Sequence, residues 1–450
     1  MKFQKIIFIY KLYMMIYLLA AFNGFLNGGI LIKAGSVIGA IFGAALLVWM
    51  LFRWKRYWKM PNFILCILFL ASYMLSSVVN IKYGITENIQ ELMWLACQIG
   101  VLYIASREYT AQMMKAELKI LGSVYVVCCT VANIVSLTMI SWGYEYGFTD
   151  AQNYTHWLGY LRGRLWGVYD DPNHGATITV IAIFMILYLW GIFQKRWQRV
   201  CIAVSMVINL LYIGFSNSRT AVVCIGCGLL CWCFLHTYNQ KKSAVKAVVF
   251  SLAVTALAVG GLTAFEPINV QLFKSVQERE IKKANISTVK KPVKKTNARK
   301  NELKKDVSSG REDIWKSGIE IMGTSPVFGI SFRNIVAYAE ENLPKTYILN
   351  NEVVKYDSLH NMFIDVAVSQ GIIGIVIVFL MIGNTIRVIW KSVLKLKRED
   401  YDILIFSFVI VVAMTMASQF YTYLFYLHAP QTFFFWVCMG YLMTSARDCG

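Results

Sequence analysis

Charged residues are scarce in this 450-residue chain. Asp, Glu, Lys and Arg make up 15% of it, and hydrophobic residues make up 57%. About a quarter of the residues in a soluble domain are usually charged, so this composition argues against a soluble protein. The long uncharged runs reach the ~20 residues that a helix needs to cross a bilayer. They are continuously apolar and do not alternate as barrel strands do, which leaves helices as the spanning elements.

Several common motifs are also missing. Eleven cysteines are present, but none lies in the two longest polar segments, so no disulfide framework is visible. The cluster Cys224, Cys227, Cys231 and Cys233 has metal-like spacing, yet its run AVVCIGCGLLCWCF contains no His or acidic residue. Small apolar residues of a helix are the favoured interpretation. No P-loop, dinucleotide fingerprint or metalloprotease helix is found, so we predict neither a metal nor a cofactor.

The apolar runs predict an all-α polytopic membrane protein with about twelve transmembrane helices. The first run continues without a small-residue cleavage site, so no cleavable signal peptide is expected. The predicted spans are 6–26, 29–52, 61–80, 89–106, 118–141, 174–193, 200–215, 220–236, 247–265, 362–383, 402–419 and 431–446.

Basic residues predict the orientation of these spans. Six Lys/Arg-rich segments precede the first span and follow the second, fourth, sixth, eighth and tenth spans, so all six fall on one side. Because excess Lys and Arg mark the cytoplasm, both termini are predicted to be cytoplasmic, in a bacterial inner membrane. The opposite face then carries the polar loop 142–173, the short turn 216–219 and a long loop over 266–361.

The long loop between the ninth and tenth spans divides the chain into 1–265, 266–361 and 362–450. Its basic stretch 274–305 contains twelve Lys and Arg, which predicts a solvated, mobile segment or contact with anionic lipid or polymer. Residues 311–330 show helical spacing of apolar residues and predict an amphipathic helix on the membrane surface or over a cavity. Loops therefore account for the net charge of +19, and no nucleic-acid partner is expected.

Three arginines stand at the predicted external ends of spans, where a charge suggests function unless it is paired or solvated. Arg219, in GFSNSRTA, fits either a snorkelling side chain or bidentate capture of phosphate. Arg164 lies in RGRLWGVYDDPNHG, in which Asp171 and Asn173 fit a helix cap as well as a site. Arg311, in GREDIW, fits a surface salt bridge equally well.

His360, in SLHNMFIDVAVSQG, is the candidate base on the same predicted face. A neutral imidazole accepts a proton near pH 7, although a single interfacial His is also often structural. Cations suit a diphosphate, and a base suits deprotonation of a hydroxyl. Together these residues indicate group transfer from a phosphate-linked donor held in the membrane.

The same segments resemble the O-antigen ligase and polysaccharide polymerase superfamily. LRGRLWGVYDDPNHGA resembles its R-x-x-G…P-N segment, and FSNSRTA its S-R-[ST/G]-A turn. GREDIWKSGIEIMGTSPVFGI resembles its R-x-x-[IL]-W…P-x-x-G segment. HNMFIDVAVSQG resembles H-[NSQ]-x-x-L-x6-G, with Ile364 where leucine is usual. The basic stretch 274–305 departs from the family pattern.

The resemblance implies metal-independent glycosyl transfer from an undecaprenyl-diphosphate-linked glycan donor to a glycan acceptor on the extracytoplasmic face. By this analogy His360 is the catalytic base, Asn361 orients it, and Arg219, Arg311 and Arg164 bind the diphosphate. The leading prediction is a polymerase of lipid-linked repeat units for a capsule or exopolysaccharide. Membrane lipid and other polysaccharide-assembly proteins are the further expected partners.

Two alternatives stay open. A ligase that moves finished glycan to a lipid or protein acceptor would carry the same motifs. A transporter of lipid-linked sugars is less favoured, because transporters often have internal repeats and mid-membrane charges, whereas these charges lie at the predicted external ends. The sugar, linkage, acceptor, chain-length control and oligomeric state have no signature in the sequence.

Overall fold

The computed structural model describes residues 2–106, 108–149, 155–286, 310–351, 355–393 and 401–447. Helices dominate throughout, which confirms the all-α polytopic class. The chain divides into two compact units. The first comprises Met1–Leu18, Gly28–Leu121 and Arg311–Gly450, and the second comprises Leu19–Asn27 and Gly122–Gly310.

The first unit contains helices from both ends of the chain. Its helices are α1 (Lys2–Ala21, which continues into the second unit), α2 (Ile30–Phe52), α3 (Phe63–Val79), α4 (Thr86–Cys97, extended by a π-helical turn Gln98–Tyr103), the start of α5 (Ala111–Trp142), α11 (Arg311–Thr324), α12 (Ile335–Asn342), α13 (Met362–Val393), α14 (Tyr401–Ala417) and α15 (Pro430–Arg447). Short 3-10 turns cover Trp54–Arg56, Ile81–Tyr83 and Phe332–Asn334.

The second unit contains the rest of α5, a small sheet and five further helices. These elements are β1 (Glu145–Thr149), β2 (Thr155–Leu161), β3 (Arg164–Gly167), α6 (Pro172–Ile192), α7 (Arg196–Ser216), α8 (Arg219–Lys241), α9 (Ala244–Thr263) and α10 (Phe265–Ile286). The sheet is antiparallel in the order β1-β2-β3, and Tyr146 pairs with Leu158 in its register. The predicted polar loop 142–173 therefore contains strands, which sequence analysis did not anticipate.

Each of the twelve predicted spans falls on a helix. Among the described residues, eight helices are long and apolar enough to cross a bilayer, namely α1, α2, α5, α6, α7, α8, α9 with its continuation to Val276, and α13. Helices α3 and α14 are apolar but shorter. The remaining two predictions, 89–106 and 431–446, fall on α4 with its π-helical turn and on α15. The chain is thus a multi-pass membrane protein, and the count of twelve stays a prediction.

The predicted long loop begins with a helix, because α10 extends to Ile286. Residues 287–309, which hold most of the basic stretch 274–305, lie outside the described residues. The helix predicted over 311–330 ends at Thr324, where Ser325 and Pro326 interrupt its periodicity. Its buried face consists of Ile314, Ser317, Gly318 and Ile321.

A break in α13 receives the chain segment that follows α11. Gly371 has φ +62° within α13, and a Cβ there would overlap the Val327 backbone. The N–H groups of Ile330 and Ser331 donate to the carbonyls of Val368 and Ser369, at 2.9 Å each. Because the interrupted helix and the segment satisfy each other's backbone groups, irregular chain is stable here inside protein. This contact fixes the loop close to the start of α13.

Polar side chains join the helices of the second unit. Asn133 of α5 donates through Nδ2 to Asn209 Oδ1 of α7 at 2.8 Å and to Thr179 Oγ1 of α6 at 3.1 Å. All three residues are buried. Interhelical hydrogen bonds of this kind contribute about 0.6–2 kcal/mol each in membrane bundles. Here they hold α6 and α7 against α5.

Candidate active site

In the second unit, Arg164 is held by acceptors of the protein itself. Its Nε donates to the Ser216 carbonyl at 2.9 Å, and its Nη2 donates to Asn173 Oδ1 at 2.7 Å. Asn173 Oδ1 also accepts from the Ser218 hydroxyl at 2.9 Å. Arg164 on β3 thus connects the start of α6 to the turn between α7 and α8.

Asp171 caps α6 at this place. Its Oδ1 accepts from the backbone N–H groups of Asn173 at 2.6 Å and His174 at 2.9 Å, and Pro172 occupies the first helical position. Burial alone would raise the pKa of the Asp171 carboxyl. The charges of His174 and Arg164 and the two N–H donors outweigh burial and lower this pKa. The capping interpretation therefore holds for Asp171, whereas the Asn173 side chain serves Arg164 and Ser218.

Arg219 is the first residue of α8 and is exposed. Ser218 caps the helix, and its Oγ accepts from the Ala221 N–H at 3.3 Å. The N-terminus of a 23-residue helix carries partial positive charge, which favours an anion. A guanidinium at this end adds a full positive charge, so the arrangement suits a phosphate.

In the first unit, His360 occupies a turn that is fixed on both sides. The Leu359 N–H donates to Asp365 Oδ1, and the Met362 N–H donates to the Ser418 carbonyl, at 2.9 Å each. His360 itself has φ +51°, a left-handed conformation that is uncommon outside glycine. Such conformations persist where surrounding contacts enforce them and cluster at functional sites.

Asn361 caps α13. Its Oδ1 accepts from the N–H groups of Phe363 at 3.0 Å and Ile364 at 3.3 Å, and its Nδ2 donates to the Gln419 carbonyl at 3.2 Å. Its amide is therefore engaged with the helix start and with the turn after α14. The orienting role of Asn361 toward His360 stays a prediction.

One aromatic ring, that of Tyr421, contacts both His360 and Arg311. The Tyr421 ring meets the imidazole edge to face at 5.7 Å between centroids. The Arg311 guanidinium carbon lies 5.5 Å from the centroid of the same ring and 5.4 Å from that of Phe420. The structure thus brings two of the five predicted residues around one side chain of the 418–424 turn.

Arg311 has no carboxylate within ion-pair distance in the part of the chain that the structure describes. Asp313, in the first turn of α11, pairs with Lys316 at 3.1 Å. Among the described residues, Arg311 therefore does not form the surface salt bridge that the sequence left open as an alternative. A guanidinium that lies against rings keeps its N–H groups available to an incoming anion.

Sequence reasoning missed Tyr421, Tyr356 and Asp365. Tyr356 meets His360 edge to face at 5.8 Å, and burial raises the pKa of its phenol. That phenol therefore stays protonated at neutral pH and does not compete with the imidazole as a base. The aromatic run FYTYLFY in the last predicted external turn was the available signal.

A second charged cluster in the first unit was also missed. The Glu91 carboxylate is fully buried and accepts from Arg333 Nε at 2.8 Å, with Arg333 Nη2 at 2.7 Å. His428 Nε2 lies 3.1 Å from its other oxygen. Because a buried carboxylate is stable only when paired, the cluster fixes the segment after α11 against α4.

The described residues contain no group of three or more His, Cys, Asp or Glu side chains close enough to hold a metal ion. Cys224 and Cys233 are buried on α8 with free thiols, as expected for apolar helix residues. Metal independence of the reaction stays a prediction.

Comparison with known families indicates the class of protein to which the site belongs. A family model described as O-Antigen ligase matches residues 204–379. The match supports the resemblance of this chain to the O-antigen ligase and polymerase superfamily. The matched segment of this superfamily contains Arg219, Arg311 and His360, while Arg164 precedes it. No curated protein matches the chain.

The match supports a glycan-transfer activity of the ligase or polymerase type, with a lipid-linked glycan and an acceptor as substrates. It also agrees with the multi-pass membrane character of the helices.

Proposed function

We propose that the protein polymerises undecaprenyl-diphosphate-linked oligosaccharide repeat units into a surface polysaccharide on the extracytoplasmic face of the inner membrane. The observation that carries the proposal is the arrangement of His360 and Arg311 around Tyr421. His360 and Arg311 lie within the segment 204–379 that matches the family model, and Tyr421 follows it. Glycosyl transfer from a diphosphate to a hydroxyl requires a base for the hydroxyl and a cation for the leaving diphosphate, and both types of side chain contact Tyr421.

His360 takes the proton of an acceptor hydroxyl in the proposed step. The hydroxyl oxygen forms a bond to the anomeric carbon of the donor, and the bond from that carbon to the diphosphate oxygen breaks. Its electron pair leaves with undecaprenyl diphosphate, and attack from the opposite side inverts the anomeric centre. General-base assistance typically contributes about 10²–10⁴-fold.

Arg311 stabilises the negative charge that develops on the leaving diphosphate, and the resemblance assigns the same role to Arg219. Removing one such preorganised donor typically costs about 10²–10³-fold in rate. Arg164 acts as a positioning residue, because its guanidinium is bonded to Ser216 and Asn173. No step requires a metal ion, since arginines supply the positive charge.

The second candidate is a ligase, which the description of the matched family favours. Both activities share the donor and the chemical step. They differ in the acceptor, which is another lipid-linked repeat unit for a polymerase and a different lipid or a protein for a ligase.

An assay with one substrate separates the two functions. The purified protein is incubated with an undecaprenyl-diphosphate-linked oligosaccharide extracted from the producing cells, in EDTA and without a second acceptor. We expect a ladder of longer lipid-linked products. Transfer that occurs only after a lipid or protein acceptor is added supports the ligase, and absence of both products contradicts the proposal.

A further inference from the structure

An apolar cavity lies in the first unit between α2, α3 and the end of α4. Its volume is about 240 Å³, which exceeds the ~150 Å³ of an engineered apolar cavity that binds benzene. Its walls are aliphatic and aromatic, and polar atoms contribute almost nothing to them. They include Leu47, Met50, Phe63, Cys66, Ala96 and Gly100.

The π-helical turn shapes one wall of this cavity. Gly100 lies in that turn, and a Cβ there would overlap the Leu47 side chain of α2. The absence of a side chain lets the turn approach α2 at one point, while the irregular helix leaves open space beside it. π-Helical turns are often found at functional sites.

The loop that borders the cavity carries aromatic and basic residues. Trp54 and Tyr57 line the cavity and belong to the loop between α2 and α3. The same loop carries the exposed side chains of Arg53, Lys55 and Lys59. Within the described ranges these three have no carboxylate at ion-pair distance, whereas Arg56 pairs with Glu108 at 3.5 Å. Among the described residues, the positive charges of these three side chains are therefore not paired with a carboxylate, on a loop that borders the apolar cavity.

We propose that the cavity and this loop bind an anionic phospholipid, with one acyl chain in the cavity and the phosphate on Arg53, Lys55 and Lys59. Charge complementarity selects the occupant. Trp, Tyr, Lys and Arg at a helix end favour the headgroup level of a bilayer, and several basic side chains attract anionic lipid in preference to zwitterionic lipid. The apolar walls exclude a free phosphate as the natural occupant.

Native mass spectrometry with equimolar phosphatidylglycerol and phosphatidylcholine tests the site. We expect the full-length protein to retain phosphatidylglycerol about tenfold more often. Ala96→Phe fills the cavity and should reduce this retention several-fold. Ala34→Phe, on an exposed position of α2, is the matched control and should not change it. Equal retention of the two lipids by the unaltered protein overturns the proposal.

A charge variant tests the loop between α2 and α3 separately. Arg53→Gln/Lys55→Gln/Lys59→Gln should abolish the preference for phosphatidylglycerol. The control Lys195→Gln/Arg196→Gln/Arg199→Gln removes the same charge from the exposed start of α7, which does not line the cavity, and should keep the preference. Thermal unfolding in detergent verifies that each variant is folded. An equal loss in both triple variants contradicts a specific site.

Discussion

Arg164 and Arg311 were both predicted to bind the diphosphate, but their surroundings differ. Arg164, in the second unit, donates to a backbone carbonyl and to the Asn173 side chain. Arg311, in the first unit, lies against the rings of Phe420 and Tyr421 and has no ion pair among the described residues. The same side chain thus serves the protein in one place and is available to a ligand in the other.

The difference shows how to separate a positioning cation from a binding cation. Hydrogen bonds from a charged group contribute about 1.5–3 kcal/mol each to stability. Loss of Arg164 should therefore lower the stability of the folded protein. Aromatic faces leave the N–H groups of a guanidinium available to oxygen acceptors. Loss of Arg311 should therefore lower the rate of glycosyl transfer. The following variants sharpen or break this comparison.

Arg311→Gln should have the largest effect of these variants, with a decrease of about 10²–10³-fold in transfer rate and little change in thermal stability. The physical reason is loss of the charge that stabilises the leaving diphosphate. The measurement is the initial rate of product formation from a lipid-linked oligosaccharide, normalised to folded protein. A near-normal rate would mean that the ring-facing guanidinium does not meet the substrate.

Asp365→Ala should lower the rate by about tenfold, because the Leu359 N–H loses its buried acceptor and the His360 turn is no longer fixed. Asp365→Asn keeps an acceptor oxygen and is the matched control. Its rate should stay within a few-fold of the unaltered protein. Equal losses in both variants would show that the negative charge, and not the hydrogen bond, is what matters.

Arg164→Gln should have the smallest effect on the rate, a few-fold per folded molecule, and a measurable effect on stability. Two charge-assisted hydrogen bonds are lost, so the unfolding temperature in detergent should fall. The transfer rate and the unfolding temperature of Arg164→Gln are compared with those of Arg311→Gln. If Arg164→Gln instead loses as much transfer rate as Arg311→Gln and its unfolding temperature is unchanged, Arg164 contacts the substrate.

Helices were the most predictable part of the molecule. Continuous apolar runs such as 174–193 have one solution in a bilayer, and α6 begins at Pro172 as the Asp-Pro pair indicates. The sheet β1-β3 was not predicted, because its strands are short and their pairing depends on contacts distant in sequence. The break at Gly371 was missed for the same reason, since only the approach of residues 326–331 makes it stable.

Site residues were predictable as chemical types but not in their partners. Arg311 and His360 carried motif signals, whereas the Tyr421 ring that contacts both is 61 residues beyond His360 in the sequence. Asp365 looked like an ordinary first-turn acidic residue of a helix. Its role at the Leu359 N–H depends on the turn that precedes the helix. Spacing in the sequence does not show which residues the folded chain brings into contact.

The most direct measurement is the rate of glycosyl transfer by His360→Gln, in EDTA, with an undecaprenyl-diphosphate-linked oligosaccharide and equal amounts of folded protein. Gln keeps a polar side chain at this position but does not act as a base near pH 7. The account predicts a decrease of at least about 10²-fold, with donor binding changed by no more than a few-fold. Transfer by His360→Gln at close to the normal rate would contradict it.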